Sequence, residues 1–93
     1  EAYKWGLINE IVPKKDLLSR ARKLAETLAS GPPLVYAAIK EIVREAENQG
    51  FHETMEKVTS RQLKTVDKLY SSEDQLEGAR AFSEKRPPVW KGK

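Results

Sequence analysis

The feature that most constrains this chain is its proline and glycine punctuation, and above all the Gly31-Pro32-Pro33 triplet. Glycine after a helical run ends it, and proline pre-sets the first turn of the next helix while forbidding continuation of the previous one. On either side of the triplet the apolar residues recur at helical spacing. Leu17, Leu18, Ala21, Leu24, Ala25 and Leu28 mark a helix over 16–29, with Asp16 as its expected N-cap. Leu34, Val35, Ala38, Ile39, Ile42, Val43 and Ala46 mark a wider stripe over about 33–48. So short a link predicts a helical hairpin. Asn48-Gln49-Gly50 closes the second helix, and Phe51, Met55, Val58, Gln62, Leu63, Val66, Leu69 and Tyr70 predict a third over about 51–70, with polar Thr59 and Gln62 interrupting its stripe. Ser72 then caps a fourth helix with Gln75 as its capping-box partner, and Leu76, Ala79 and Phe82 form a narrow apolar line that Pro87-Pro88 terminates.

Ahead of these, Gly6 can stop an incoming helix end, and Leu7-Ile8-Asn9-Glu10-Ile11-Val12 reads as a short strand or extended connector closed by Pro13. The expected architecture is therefore all-α: about four helices, a hairpin plus two more, behind a short extended N-terminal segment. Six extended residues need a partner edge from elsewhere. With a start that carries neither an initiator Met nor a signal-peptide pattern, this predicts a single α-helical domain over 1–93 that begins inside a longer chain.

Composition narrows the function classes. No cysteine is present, so disulfides and thiolate metal sites are excluded. The longest apolar run, Leu34 to Ile39, is far short of the ~20 residues of a membrane span. The net charge is +3, yet Lys85, Arg86, Lys91 and Lys93 alone contribute +4 to a tail without acids, which leaves −1 for the body. A nucleic-acid face needs basic residues spread over an element, so none is expected; a local anion contact at the C-terminus is allowed. Lys14, Lys15, Arg20, Arg22 and Lys23 around the first helix read as a solvated face ahead of an anion-binding strip.

No catalytic constellation is visible. His52, beside Glu53 and Glu56, is a lone histidine and reads as a surface residue, since a metal site wants at least three clustered ligands. Glu73 and Asp74 suit the positive end of a helix dipole, and Glu77 is a good helix former. Phe82 and Lys85 lie three apart, as one helical face would place them. A ring beside an ammonium suits a ligand that has both a flat base and phosphates. On the residues alone, a core Phe82 with a solvated Lys85 is the preferred reading.

Several segments together resemble the C-terminal third of enoyl-CoA hydratase/isomerase (crotonase-superfamily) proteins. Glu1-Ala2 with Trp5-Gly6-Leu7-Ile8-Asn9-Glu10-Ile11-Val12-Pro13 is similar to the family's connector. Leu17-Leu18, Ala21, Leu24-Ala25, Leu28-Ala29, Gly31-Pro32-Pro33 and Lys40 follow its next two helices. Ser72-Glu73-Asp74, Glu77-Gly78, Ala81-Phe82, Glu84-Lys85-Arg86, Pro88, Trp90 and Gly92 resemble its ending, and the 72–92 run looks like that of carnitinyl-CoA dehydratase-like members. Residues 47–70 match no family motif, and Pro87 stands where many members have a polar residue.

The resemblance implies a crotonase-like fold whose spiral N-terminal domain carries the chemistry. There, backbone amides stabilise an enolate and carboxylates move protons or activate water. It implies acyl-CoA substrates, homo-oligomers (trimers or hexamers), a cytoplasmic setting, and no cofactor beyond the coenzyme A that the substrate carries. No catalytic residue falls within this chain. Phe82 and Lys85 correspond to the aromatic and lysine that family members place near the CoA adenine and phosphate, with Arg86 a lesser candidate, so the resemblance reverses the preference for a core Phe82. The expected function is thus the helical C-terminal domain of an acyl-CoA enzyme, inactive alone, that contributes oligomer contacts and one edge of the CoA site. The alternative is a free-standing helical interaction module that uses its third helix as a binding face.

Overall fold

The computed structural model describes residues 1–93 and is all-helical, with no strand. A 3-10 turn at Lys14–Asp16 leads into α1 (Leu17–Ala29), followed by α2 (Pro33–Asn48), α3 (Phe51–Thr59), α4 (Lys64–Tyr70) and α5 (Glu73–Glu84). No helix is long and apolar enough to cross a membrane. The chain forms two compact units, Glu1–Gly31 and Pro32–Lys93.

In the first unit, the opening residues make a helical turn that Gly6 closes at φ +74°. The Leu7 amide donates to the Ala2 carbonyl (2.9 Å) and the Gly6 amide to Tyr3 (3.1 Å), the paired bonds of a left-handed helix stop. Residues 8–13 follow as an unpaired connector rather than a strand. Asp16 occupies the N-cap position of α1, as expected, at the end of the 3-10 turn, but its side chain makes no cap bond; its carbonyl accepts from the Ser19 hydroxyl (2.9 Å). An exposed fork from Arg20 Nε to Glu10 (2.8 and 2.9 Å) ties the connector to the helix. The apolar stripe of α1 is present but uncovered, with Leu17, Leu18, Leu24 and Leu28 all exposed.

In the second unit, α2 packs on α3 and α4, and α4 on α5. Pro33 occupies the first position of α2, where its missing N–H costs nothing. The core is Ala38, Leu63 and Val66, with Ile42, Val58 and Leu69 packed against it. The stripe of α2 is buried along only one edge: Leu34 and Ala38 are covered, whereas Ile39, Val43 and Ala46 face outward. The hairpin expected of the first two helices joins segments of different units; inside the second unit it is α2, α3 and α4 that pack together.

The single third helix expected over 51–70 is two helices. Its interruption falls where the stripe was already poor. Thr59 and Ser60 turn their hydroxyls onto the preceding carbonyls of Met55 and Glu56, which competes with helix propagation. Arg61 takes a left-handed conformation (φ 55°), while the Arg61 and Gln62 amides donate to Val58 (3.1 Å) and Lys57 (2.9 Å). The break lets Leu63 and Val66 both reach the core. It also leaves the start of α4 without a cap from its own N-cap residue, Leu63. Glu41 of α2 fills that role: its carboxylate accepts from the Thr65 amide (2.8 Å) and from the Thr65 hydroxyl. The Thr65 hydroxyl bond, then the Thr65 amide, holds the Glu41 carboxyl below its ordinary range. Lys57 Nζ to Glu45 (2.7 Å) similarly links α3 to α2.

Candidate functional site

Helix α5 begins as the sequence suggests. The Ser72 hydroxyl accepts from the Gln75 amide (3.1 Å), though Gln75 does not complete a capping box; the Ser72 amide and hydroxyl donate instead to the Leu69 carbonyl (3.1 and 2.6 Å). The buried face of α5 is a different one from the expected Leu76, Ala79, Phe82 line. Leu76, Ala79 and Phe82 are exposed, while Asp74 and Ala81 are buried and Glu77 and Gly78 half-buried. Those four positions lie at helical spacing and form one polar, small-residue strip. What covers it is the C-terminal tail, which turns back along α5.

The tail is fixed at successive points. Glu77 Oε1 accepts from the Val89 amide (2.9 Å), and both Glu77 oxygens accept the Arg86 guanidinium as a fork (2.6 and 3.0 Å). Asp74, only 4% exposed, takes the Lys91 amide on one oxygen (2.8 Å) and the Gly92 amide on the other (2.9 Å). Gly92, at φ +73°, supplies the left-handed backbone at this point without steric cost. The Asp74 amide, one of the donors a helix start leaves unpaired, is satisfied by the Lys93 carbonyl (3.2 Å). Between these clamps the Trp90 ring lies on Gly78, where an added Cβ would meet it at 3.3 Å. The Arg86 bond, then the Val89 amide, pulls the Glu77 carboxyl down to about 2, and the same pairing with Glu77 and then Glu84 raises Arg86.

The reversal that brings the tail back happens at Lys85. α5 ends at Glu84, and Lys85 lies in the left-handed region (φ 55°, ψ 37°) rather than on the helical face the sequence suggested. The Lys85 and Arg86 amides donate to Phe82 (3.4 Å) and Ala81 (3.1 Å). Glycine is usual at such a stop, and an L-residue there costs ~1–2 kcal/mol. The two sequence candidates are nonetheless brought together: Lys85 Nζ stands over the Phe82 ring, 4.4 Å from its centroid. Phe82 is 76% exposed and not core, and Lys85 enters no ion pair. Arg86, by contrast, is committed to Glu77 and Glu84. A cleft between α5 and the tail, lined by Leu76, Glu77, Arg80, Arg86 and Val89 among others, does not include Phe82 or Lys85. His52 packs edge-on against Phe51 (5.6 Å between centroids).

Sequence reasoning missed the work of Asp74 and Glu77, assigning them to the helix dipole and to helix propensity. A signal was present. Gly78 in a helix interior costs about 1 kcal/mol relative to alanine and so asks for a close approach. It sits beside Glu77 and one turn from Asp74, with Trp90 waiting in a basic tail.

Comparison with known proteins identifies the family of the chain. The enoyl-CoA hydratase/isomerase family model matches residues 1–93. Carnitinyl-CoA dehydratase from Salmonella paratyphi A is 43% identical over 93 residues, covering 100% of the chain and 36% of that relative. Among solved structures, an enoyl-CoA hydratase/isomerase from Mycobacterium paratuberculosis aligns with a TM-score of 0.84 at 34% identity, over 99% of this chain and 35% of its own. An enoyl-CoA hydratase from Bacillus anthracis aligns with a TM-score of 0.81 at 30% identity, over 99% and 34%. The chain spans 36% of the length of the curated relatives it matches and corresponds to the C-terminal portion of such enzymes.

Proposed function

Because the chain belongs to the enoyl-CoA hydratase/isomerase family, we propose that it is the helical C-terminal domain of an acyl-CoA enzyme and that its closing turn holds the nucleotide end of the substrate. The observation that carries this reading is the exposed Phe82 with the Lys85 ammonium on its ring. A flat base stacks on the ring, and the ammonium swings to a phosphate. An exposed cation–π contact contributes only ~0.5–1 kcal/mol, whereas a charge-assisted hydrogen bond contributes ~1.5–3 kcal/mol, so the exchange favours the ligand. On this reading the proton-moving carboxylates and the oxyanion donors lie outside these residues. Coenzyme A arrives as part of the substrate, with no separate cofactor, and the setting is cytoplasmic. The uncovered leucines of α1, together with exposed Phe51 and Met55, support a homo-oligomer, a trimer or a pair of trimers.

The test is steady-state kinetics of the full-length enzyme on crotonyl-CoA. Lys85→Ala is expected to raise KM about tenfold, as loss of ~1.4 kcal/mol requires, with kcat nearly unchanged. A KM equal to that of the wild type removes Lys85 from the CoA site.

A further inference from the structure

We infer that Glu77 is a positioning residue for the Phe82–Lys85 pair: by pinning Arg86 and Val89 it imposes the left-handed turn that sets the Lys85 ammonium on the ring. The inference rests on the nucleotide-binding reading of that pair and assigns its control to a side chain that points away from it, into the tail.

The argument starts from the backbone. Lysine has no preference of its own for φ 55°. Whatever holds it there must come from the segments it joins. On one side is the end of α5, whose Phe82 and Ala81 carbonyls accept the Lys85 and Arg86 amides. Those bonds form only if the chain reverses at Lys85. On the other side is Arg86, and its guanidinium reaches back nine residues to fork onto Glu77. Three residues further on, the Val89 amide bonds to the same carboxylate. One side chain therefore fixes the residue just after the turn and the start of the returning strand of chain. Pro87 and Pro88 between them keep the linking segment extended. Asp74 holds the tail farther out, at Lys91 and Gly92, so Glu77 is the anchor nearest the turn. With that anchor gone, Lys85 is free to leave the left-handed region, and its ammonium leaves Phe82.

The experiment is a double-mutant cycle in the full-length enzyme with crotonyl-CoA. If Glu77→Gln leaves the competent turn populated about one-fifth of the time, KM rises about fivefold, with kcat within about twofold of wild type. The Glu77→Gln/Lys85→Met double variant should be no worse than Lys85→Met alone, because both changes remove the same contact. Effects that multiply would overturn the inference, as Glu77 would then act by a route other than Lys85. If Lys85→Met by itself leaves KM unchanged, the nucleotide-binding reading fails, and positioning is judged by a signal that needs no ligand. The Lys85 ε-methylene is bonded to the Nζ that stands 4.4 Å from the Phe82 centroid, and its protons should be shifted upfield by the ring current. Glu77→Gln should abolish that shift, and its survival sinks the positioning role. Should Glu77→Gln not fold, Arg86→Lys keeps the charge, loses the fork, and is expected to act in the same direction on both readouts.

Discussion

Asp74→Asn changes almost nothing about the shape of the protein and should nevertheless release its tail. The wild-type carboxylate is buried and divides its two oxygens between two donors, the Lys91 amide at 2.8 Å and the Gly92 amide at 2.9 Å. Asparagine keeps one acceptor and turns an NH2 group toward the other amide, donor facing donor. One hydrogen bond to a charged group is lost, ~1.5–3 kcal/mol, and the survivor drops to the strength of a neutral bond. The negative charge in the first turn of α5 disappears as well, ~0.3–1 kcal/mol. The total is about 2–4 kcal/mol. The loss is local: once the tail is fully undocked, the core of Ala38, Leu63 and Val66 is untouched and the cost saturates at the docking free energy. Amide hydrogen exchange therefore reads it best. The Lys91 and Gly92 amides should lose protection roughly 30- to 700-fold, at ~1.4 kcal/mol per factor of ten, while the Val66 amide changes far less. Wild-type exchange at Lys91 and Gly92 in the variant would refute the account of the clasp.

Two further outcomes follow from the same contacts. At Gly78, alanine gains about 1 kcal/mol of helix propensity against a Trp90 ring that must shift by a few tenths of an ångström from its 3.3 Å approach, so Gly78→Ala should be close to neutral. Gly78→Val, with bulk that the ring cannot avoid, should expel Trp90 and shift its fluorescence to the red; unshifted emission would contradict the packing. Acid should undock the tail in a defined window: the folded Glu77 carboxyl lies at about 2, below its ordinary 4.5, so its stabilisation is complete above about 4.5 and is lost as pH falls through about 2. Protection of the Val89 amide should fade across that interval, and a flat profile would show that the Glu77 bonds contribute nothing.

The elements legible beforehand were those with a local cause. Gly31-Pro32-Pro33 fixes the start of α2 because proline constrains its own backbone, and Ser72 opens α5 for a reason contained within a turn of chain. Gly6 likewise stops the opening turn. Even the break between α3 and α4 left a mark in the polar Thr59 and Gln62, although they alone did not say that the helix would stop. Phe82 and Lys85 were legible as a pair but not as an arrangement, because a spacing of three suggests one helical face whereas the contact is made through a left-handed residue beyond the helix.

Tertiary structure decided which faces are used. The periodicity of α5 pointed its apolar line inward, yet Phe82 is exposed and Asp74 is buried. A carboxylate surrounded by two amide donors is satisfied on burial, and no hydropathy pattern can announce donors supplied from 17 and 18 residues away. The same holds for Glu41, whose partner Thr65 lies 24 residues on, in another helix. The sequence by itself determined where α1 ends and where α2 and α5 start, since those causes act over one turn. Only the folded chain decided that two acidic side chains and a glycine on α5 would bind the tail, and through it set the one turn that carries Lys85, because those partners meet only when the chain has reversed.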